Sequence, residues 1–273
     1  MAAPRKTVLI TGCSAGGIGG GLAEAFLEKG YFVFAGLRTP SKASQILSQS
    51  KNVKILTLDV LSSESIASAV ESVSKETAGK LDILVNNSGA GILAPALDTS
   101  IKEGKALFDL NFWAPVAMVQ AFAPLLVKAK GCIVNNTSAN SQVPMPFMSM
   151  YNASKGALAM ASETWRLELQ PLGVRVMTLV TLGVKTNSFA NAPQHEIPET
   201  SNYYDIRDFI HGLSDGRLQA SGVTTKRFAT QVVHQVDKGA SGTVWAGGNS
   251  SLVSFTWWIL PQSLRVRLFQ YLF

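Results

Sequence analysis

The chain has little cysteine and little charge. Its 273 residues include two cysteines, Cys13 and Cys132, and three histidines, none at metal-ligand spacing. Zinc and disulfide scaffolds are therefore set aside, no metal is expected, and a reducing, cytoplasmic setting fits best. Only 15% of residues are charged against 47% hydrophobic, which excludes a disordered chain and calls for burial on two sides or a lipid-facing surface. No run of eighteen uncharged apolar residues occurs, so no helix clearly spans a bilayer. The opening "MAAPRK" leaves no room for a signal peptide before "TVLITG". Repeats, low-complexity linkers and charged tails are also missing, so residues 1–273 read as a single domain. The 24 Lys+Arg exceed the 18 Asp+Glu, giving +6, a balance suited to an anionic cofactor or head group. No basic cluster is interleaved with aromatics, so nucleic acid is not an expected partner.

What is present is an alternation. Short apolar runs, "TVLIT", "YFVFAG", "VKILTLDV", "LDILVNNSG", "GCIVNNTS", "VRVMTLV" and "TVWAGG", are separated by helical stretches at 18–29, 63–77, 102–128 and 151–170. Runs of that length between helices argue for an α/β Rossmann fold, a doubly wound parallel sheet of about seven strands with helices on both faces. Two regions break the pattern. Residues 187–222, with Pro193, Pro198 and Tyr203-Tyr204, are long enough for a lid or substrate-binding insertion. The apolar tail 250–273, with Arg265 and Arg267, has two readings. It packs on the domain or a partner subunit, or it lies in a membrane interface as a basic amphipathic element, placing the protein on an endomembrane or lipid droplet.

"TGCSAGGIGGG", Thr11 to Gly21, also has two readings. Gly12-Cys13-Ser14-Ala15-Gly16 spells G-x-S-x-G, the elbow that exposes a nucleophilic serine in hydrolases. The same letters form a glycine-rich turn between a first strand and a first helix, where Gly12, Ser14, Gly17, Ile18 and Gly19 would cradle a dinucleotide's phosphates. No Lys-Ser/Thr follows, so a Walker loop is excluded. After the second strand, "AGLRTPSK" puts Leu37 where an NAD site offers an acid. Arg38 and Lys42 can instead meet the 2′-phosphate of NADP(H).

The third signal is Ser138, Tyr151 and Lys155. Tyr151 and Lys155 are four apart and share one helix face. A phenol with a pKa near 10 works at neutral pH only if a neighbouring cation stabilises its phenolate, which Lys155 is placed to do. Ser138, at a strand end, can hydrogen-bond a substrate oxygen as charge builds there.

These motifs, with Asp59-Val60, "NNSG" at 86–89, Asn111 in "LFDLNFWAP", "YNASK" at 151–155 and "GVKT" at 183–186, resemble the short-chain dehydrogenase/reductase family over nearly the whole chain. The resemblance implies that Asp59 and Val60 contact the adenine and that Asn87 and Gly89 support the cofactor near the central sheet. It further implies that Val184 and Thr186 hold the nicotinamide end and that Asn111 positions a water in a proton relay from Lys155. The glycine turn is one residue longer than the usual pattern, Ser88 replaces a usual alanine, and Leu182 a usual proline. The long turn and "VWAGGNSSLVSFTWWILP" are similar to a narrower branch, the NADPH-dependent acyl-dihydroxyacetone-phosphate reductases and related fungal reductases. That similarity implies a lipophilic ketone or alcohol substrate: a glycerolipid, a steroid-like or terpenoid ketone, or a polyketide or alkaloid intermediate of secondary metabolism. Small residues in "ASKGALAMAS" on the Tyr151 helix would let subunits pack as a homodimer or homotetramer. Two alternatives stay in view: a serine hydrolase using Ser14, and a catalytically silent binding protein on the same fold.

Overall fold

The computed structural model describes residues 5–186, 195–213, 222–261 and 264. The chain begins with β1 (Thr7–Thr11), α1 (Ile18–Glu28), β2 (Phe32–Leu37), α2 (Gln45–Gln49), β3 (Val53–Thr57), α3 (Ser63–Thr77) and β4 (Ile83–Asn86). It continues through α4 (Ile101–Phe108), a π-helical turn (Asp109–Trp113), α5 (Ala114–Ala129), β5 (Cys132–Asn136), α6 (Ser149–Leu169) and β6 (Arg175–Leu182). Last come β7 (Val184–Lys185), α7 (Arg207–Gly212), β8 (Val223–Thr224), α8 (Thr225–Asp237), β9 (Gly242–Gly247) and α9 (Ser250–Ile259).

Seven strands form one parallel sheet in the order β3-β2-β1-β4-β5-β6-β9. Alternation along each strand sends successive side chains to opposite layers. Val8 and Ile10 pack with Leu22 and Phe26 of α1 and Phe228 and Val232 of α8. Leu9 and Ile133 pack with Ile66 and Val73 of α3 and Met118, Phe122 and Leu126 of α5. Two fully covered faces explain why the strands read as continuous apolar runs. Strand order reverses between β1 and β4, which opens a crevice at the carboxyl ends of the strands.

The four expected helices are present, with one change: the stretch expected as a single helix over 102–128 is α4 and α5 joined by the π-helical turn. Ile101–Ala129 is long and apolar enough to cross a membrane, yet Met118, Phe122 and Leu126 of α5 fill the core. Helix α8 adds to the expected set. Its apolar positions Phe228, Val232, Val233 and Val236 have helical spacing, and Thr224 caps it.

β7 and β8 pair in parallel and clamp the two ends of the 187–222 insertion, of which residues 187–194 and 214–221 lie outside the described residues. In the tail, α9 is described, whereas Arg265 and Arg267 lie outside the described residues.

Candidate active site

The glycine turn is shaped by contacts that only glycine permits. Gly12 and Gly16 have φ of +75° and +74°, a region costly for side chains with a Cβ. A Cβ on Gly19 would lie 2.3 Å from the Gly12 carbonyl oxygen, so Gly19 seats α1 against the end of β1. Gly16 is exposed and Gly17 is the N-cap of α1, with no side-chain cap and no acid in the first turn. By contrast, Ser44, Ser62, Ser100 and Thr224 cap α2, α3, α4 and α8 with their side chains. The start of α1, at Ile18, thus presents unsatisfied N–H groups and a positive dipole end, the local chemistry of an anion site.

The turn after β2 is held against this one, because Ala15 N–H donates to the Lys42 carbonyl at 2.9 Å. Arg38 and Lys42 are both exposed, so two cations stand beside the open helix end. Asp59 closes a turn after β3, its carboxylate accepting Leu61 N–H at 3.0 Å, and Val60 is buried beside it. The glycines, helix end and cations fit a phosphorylated dinucleotide.

Across the crevice, Tyr151 and Lys155 lie near the start of α6 and Ser138 follows β5. A hydrogen bond joins the Ser138 and Tyr151 hydroxyls; burial raises the Tyr151 pKa above its ordinary value and that bond opposes the rise. Lys155 is 5% exposed, and its Nζ donates to the Asn136 carbonyl at 3.0 Å. Burial lowers its pKa to about 8. Asn111, on the π-helical turn, is fully buried: Oδ1 accepts Ala90 N–H at 3.0 Å, and Nδ2 donates to the Ala90 carbonyl at 2.9 Å and Ser154 Oγ at 3.0 Å. A Cβ on Gly89 would stand 2.9 Å from Asn111 Oδ1 and 3.2 Å from Lys155 Nζ, so glycine leaves space where these two groups converge.

Asn136 joins the site as a residue the motif reading passed over. Its Nδ2 donates to Asn87 Oδ1 at 2.9 Å and its Oδ1 accepts Thr181 Oγ1 at 2.5 Å. Asn87 in turn donates to the Thr11 carbonyl at 2.8 Å. One side-chain network therefore ties the ends of β1, β4, β5 and β6 together and fixes the carbonyl that receives Lys155. The available signal was a second asparagine in "CIVNNTS", a buried polar group in an apolar strand, which must be bonded to be tolerated.

At the outer rim, Gly183 has φ +55° and its carbonyl accepts Val223 N–H at 2.9 Å and Gly248 N–H at 3.2 Å. Val184 is buried in β7, and Thr186 follows that strand. Within 195–213, Tyr203 meets Phe147 edge to face with centroids 6.0 Å apart, and Ser201 Oγ donates to Asp98 at 2.6 Å. Phe147, in "PMPFMSM", has φ +61°, a strained conformation for a bulky side chain.

The nucleophile-elbow reading finds no support. Ser14 Oγ has no hydrogen-bond partner among the described residues; His195 Nδ1 faces Glu103 at 3.5 Å, His211 faces the His195 carbonyl, and His234 is exposed on α8. Burial pushes the thiols of Cys13 and Cys132 up to about 12 and about 11, so neither offers a thiolate at neutral pH.

A glycine turn on an open helix end, with a Ser, Tyr and Lys set across the crevice of a doubly wound sheet, defines a dinucleotide-dependent oxidoreductase. The chain belongs to the short-chain dehydrogenase family, whose model matches residues 6–197. It is 39% identical over 264 residues to the short-chain dehydrogenase ptmH of Penicillium ochrochloron, covering 96% of this chain and 95% of the relative. It is also 39% identical over 235 residues to the NADPH-dependent 1-acyldihydroxyacetone phosphate reductase of Schizosaccharomyces pombe, covering 85% and 78%. Among solved structures, a short-chain dehydrogenase from Burkholderia cenocepacia in complex with NADP matches with a TM-score of 0.76 and 25% identity, over 98% of this chain and 99% of that one.

Proposed function

We propose that this protein is an NADP(H)-dependent reductase of a ketone carbonyl on a lipophilic substrate. The observation carrying the reading is the convergence of Ser138, Tyr151 and buried Lys155 opposite an uncapped helix end flanked by Arg38 and Lys42.

When bound, NADP(H) supplies the hydride that this chain has no group to provide. Gly12, Ser14, Gly16, Gly17, Ile18 and Gly19 would hold its diphosphate, Arg38 with Lys42 its 2′-phosphate, and Asp59 with Val60 its adenine. Asn87, Gly89, Val184 and Thr186 would hold the nicotinamide side. Ser138 hydrogen-bonds the substrate oxygen and stabilises negative charge as it builds there. Tyr151 transfers its proton to that oxygen. Its raised pKa keeps the phenol protonated at neutral pH, the state that reduction requires. Lys155, when charged, stabilises the phenolate left behind. Asn111 has its side-chain amide committed to Ala90 and Ser154, so the relay water falls to its backbone carbonyl.

The substrate wall is Pro144 to Met150 with the insertion above it, apolar and rich in methionine and aromatic side chains, which suits a flexible lipophilic ligand. The relatives' names support an acyl-dihydroxyacetone-phosphate-like lipid or a secondary-metabolite intermediate. Exposed Met160 and Leu167 on α6, beside the small residues of "ASKGALAMAS", support a homodimer or homotetramer, and the cytoplasm is the proposed compartment.

Titration calorimetry with NADPH and NADH in one buffer, followed by cofactor oxidation with lipophilic ketones, tests the proposal. Preferential NADPH binding and ketone-dependent oxidation are expected. A protein that bound neither nucleotide would not be this reductase.

A further inference from the structure

We infer that α9 docks this enzyme onto an anionic membrane surface beside the mouth of its active site. The helix is apolar around most of its circumference, yet the protein covers only one side of it. Ser250 is buried and Val253 and Trp257 are partly covered, whereas Leu252 is 64% exposed, Phe255 64%, Trp258 85% and Ile259 55%. At 100° per residue these four fall within about 120° of the helix circumference, a stripe that exposed Ser251 shares and not scattered surface apolars.

Size and composition select the occupant. A ten-residue helix is about 15 Å long, so its four exposed apolar side chains offer on the order of 500 Å², below the roughly 800 Å² per partner of a stable protein interface. A bilayer needs no matching surface: Trp, Phe and Leu side chains at head-group depth anchor a helix lying in the interface plane. Residues 250–273 contain no Asp or Glu and include Arg265 and Arg267, in a chain of net charge +6, which adds attraction to anionic head groups. Ten helical residues ending before Pro261 are too few to span the hydrocarbon core, so the mode is lying on the membrane.

Placement gives the docking a purpose. Helix α9 leaves the carboxyl edge of the sheet directly after β9, and Gly248 N–H bonds the Gly183 carbonyl at the base of the insertion. A membrane under α9 would therefore lie next to the substrate mouth and let a lipophilic ketone enter from the bilayer. Docking itself rests on the exposed stripe; delivery of substrate rests on the reductase reading.

The test is flotation of the full-length protein with phosphatidylcholine vesicles, with and without about 30% phosphatidylserine, a fraction chosen to give the strongly anionic surface on which basic segments bind. Wild type is expected to float with the anionic vesicles and to release in high salt. The double variant F255S/W258S is expected to lose binding by tenfold or more, while its NADPH-dependent reduction of a water-soluble ketone stays at the wild-type rate. Failure of wild type to float, or equal flotation on both vesicle types, would overturn the inference. So would a finding by light scattering that the variant loses an oligomer, with no vesicle binding by wild type, since a second copy would then cover the helix. Vesicle binding by a protein without reductase activity would leave docking standing and remove only the delivery role.

Discussion

On the β1–β3 side of the crevice, the candidate site is made of backbone and exposed charge; on the β4–β6 side, it is made of buried polar side chains. The first side uses positive-φ glycines, a helix start without a side-chain cap, and Arg38 and Lys42 in solvent. The second uses Asn87, Asn136 and Thr181 as a bonded network, tied to the Thr11 carbonyl at the end of β1, around a buried ammonium. The first arrangement holds an anion by many N–H groups and tolerates imprecision. The second fixes single atoms, because a buried network with one member missing leaves unsatisfied groups in a low-dielectric interior. Affinity and chemistry should thus be separable by mutation.

The largest expected effect lies on the chemical side. Tyr151→Phe removes the proton donor and keeps the ring, so the ketone reduction rate should fall on the order of 10²–10⁴-fold while NADPH affinity is retained. Stopped-flow or steady-state reduction with parallel calorimetry measures both. A variant that lost affinity along with rate would show that the two sides are coupled.

On the phosphate side, Arg38→Ala should weaken NADPH binding by roughly 10- to 100-fold, the value of charge-assisted hydrogen bonds to a phosphate, and leave NADH binding and the maximal rate unchanged. An equal loss for both nucleotides would place Arg38 away from the 2′-phosphate.

Parts of the site also differed in how readily the sequence revealed them. The glycine turn, the Arg38 position and the Tyr151/Lys155 spacing announce themselves because each is a local rule: φ freedom, charge at a strand end, i,i+4 geometry. Of the insertion expected at 187–222, the described residues include α7 (Arg207–Gly212). Asn136 was not legible, since its meaning depends on Asn87 and Thr181, which lie 49 and 45 residues away. The π-helical turn carrying Asn111 was hidden for another reason: α4 and α5 both have helical periodicity, and one extra residue per turn barely alters the pattern. Local conformational needs are written in short stretches, whereas the partners of a buried polar group are written across the fold.

The smallest expected effect asks what the buried network costs. Lys155 has a pKa lowered by burial from 10.5 to about 8, so between those values the unfolded chain binds a proton that the native chain does not. Stability of the cofactor-free protein should therefore rise with pH across that window, and the charged lysine destabilises the fold at pH 7. Replacing it by an apolar side chain of similar length relieves that penalty, on the order of 3 kcal/mol, and loses the bond to the Asn136 carbonyl, worth about 1 kcal/mol. Lys155→Met should thus be stabilised at pH 7 by about 1–2 kcal/mol and be inactive. Thermal melts of both proteins from pH 7 to 9.5 would show the wild type gaining on the variant as pH rises. Parallel curves would mean that Lys155 is solvated in the free enzyme, and that the β4–β6 side is as open as the glycine turn opposite it.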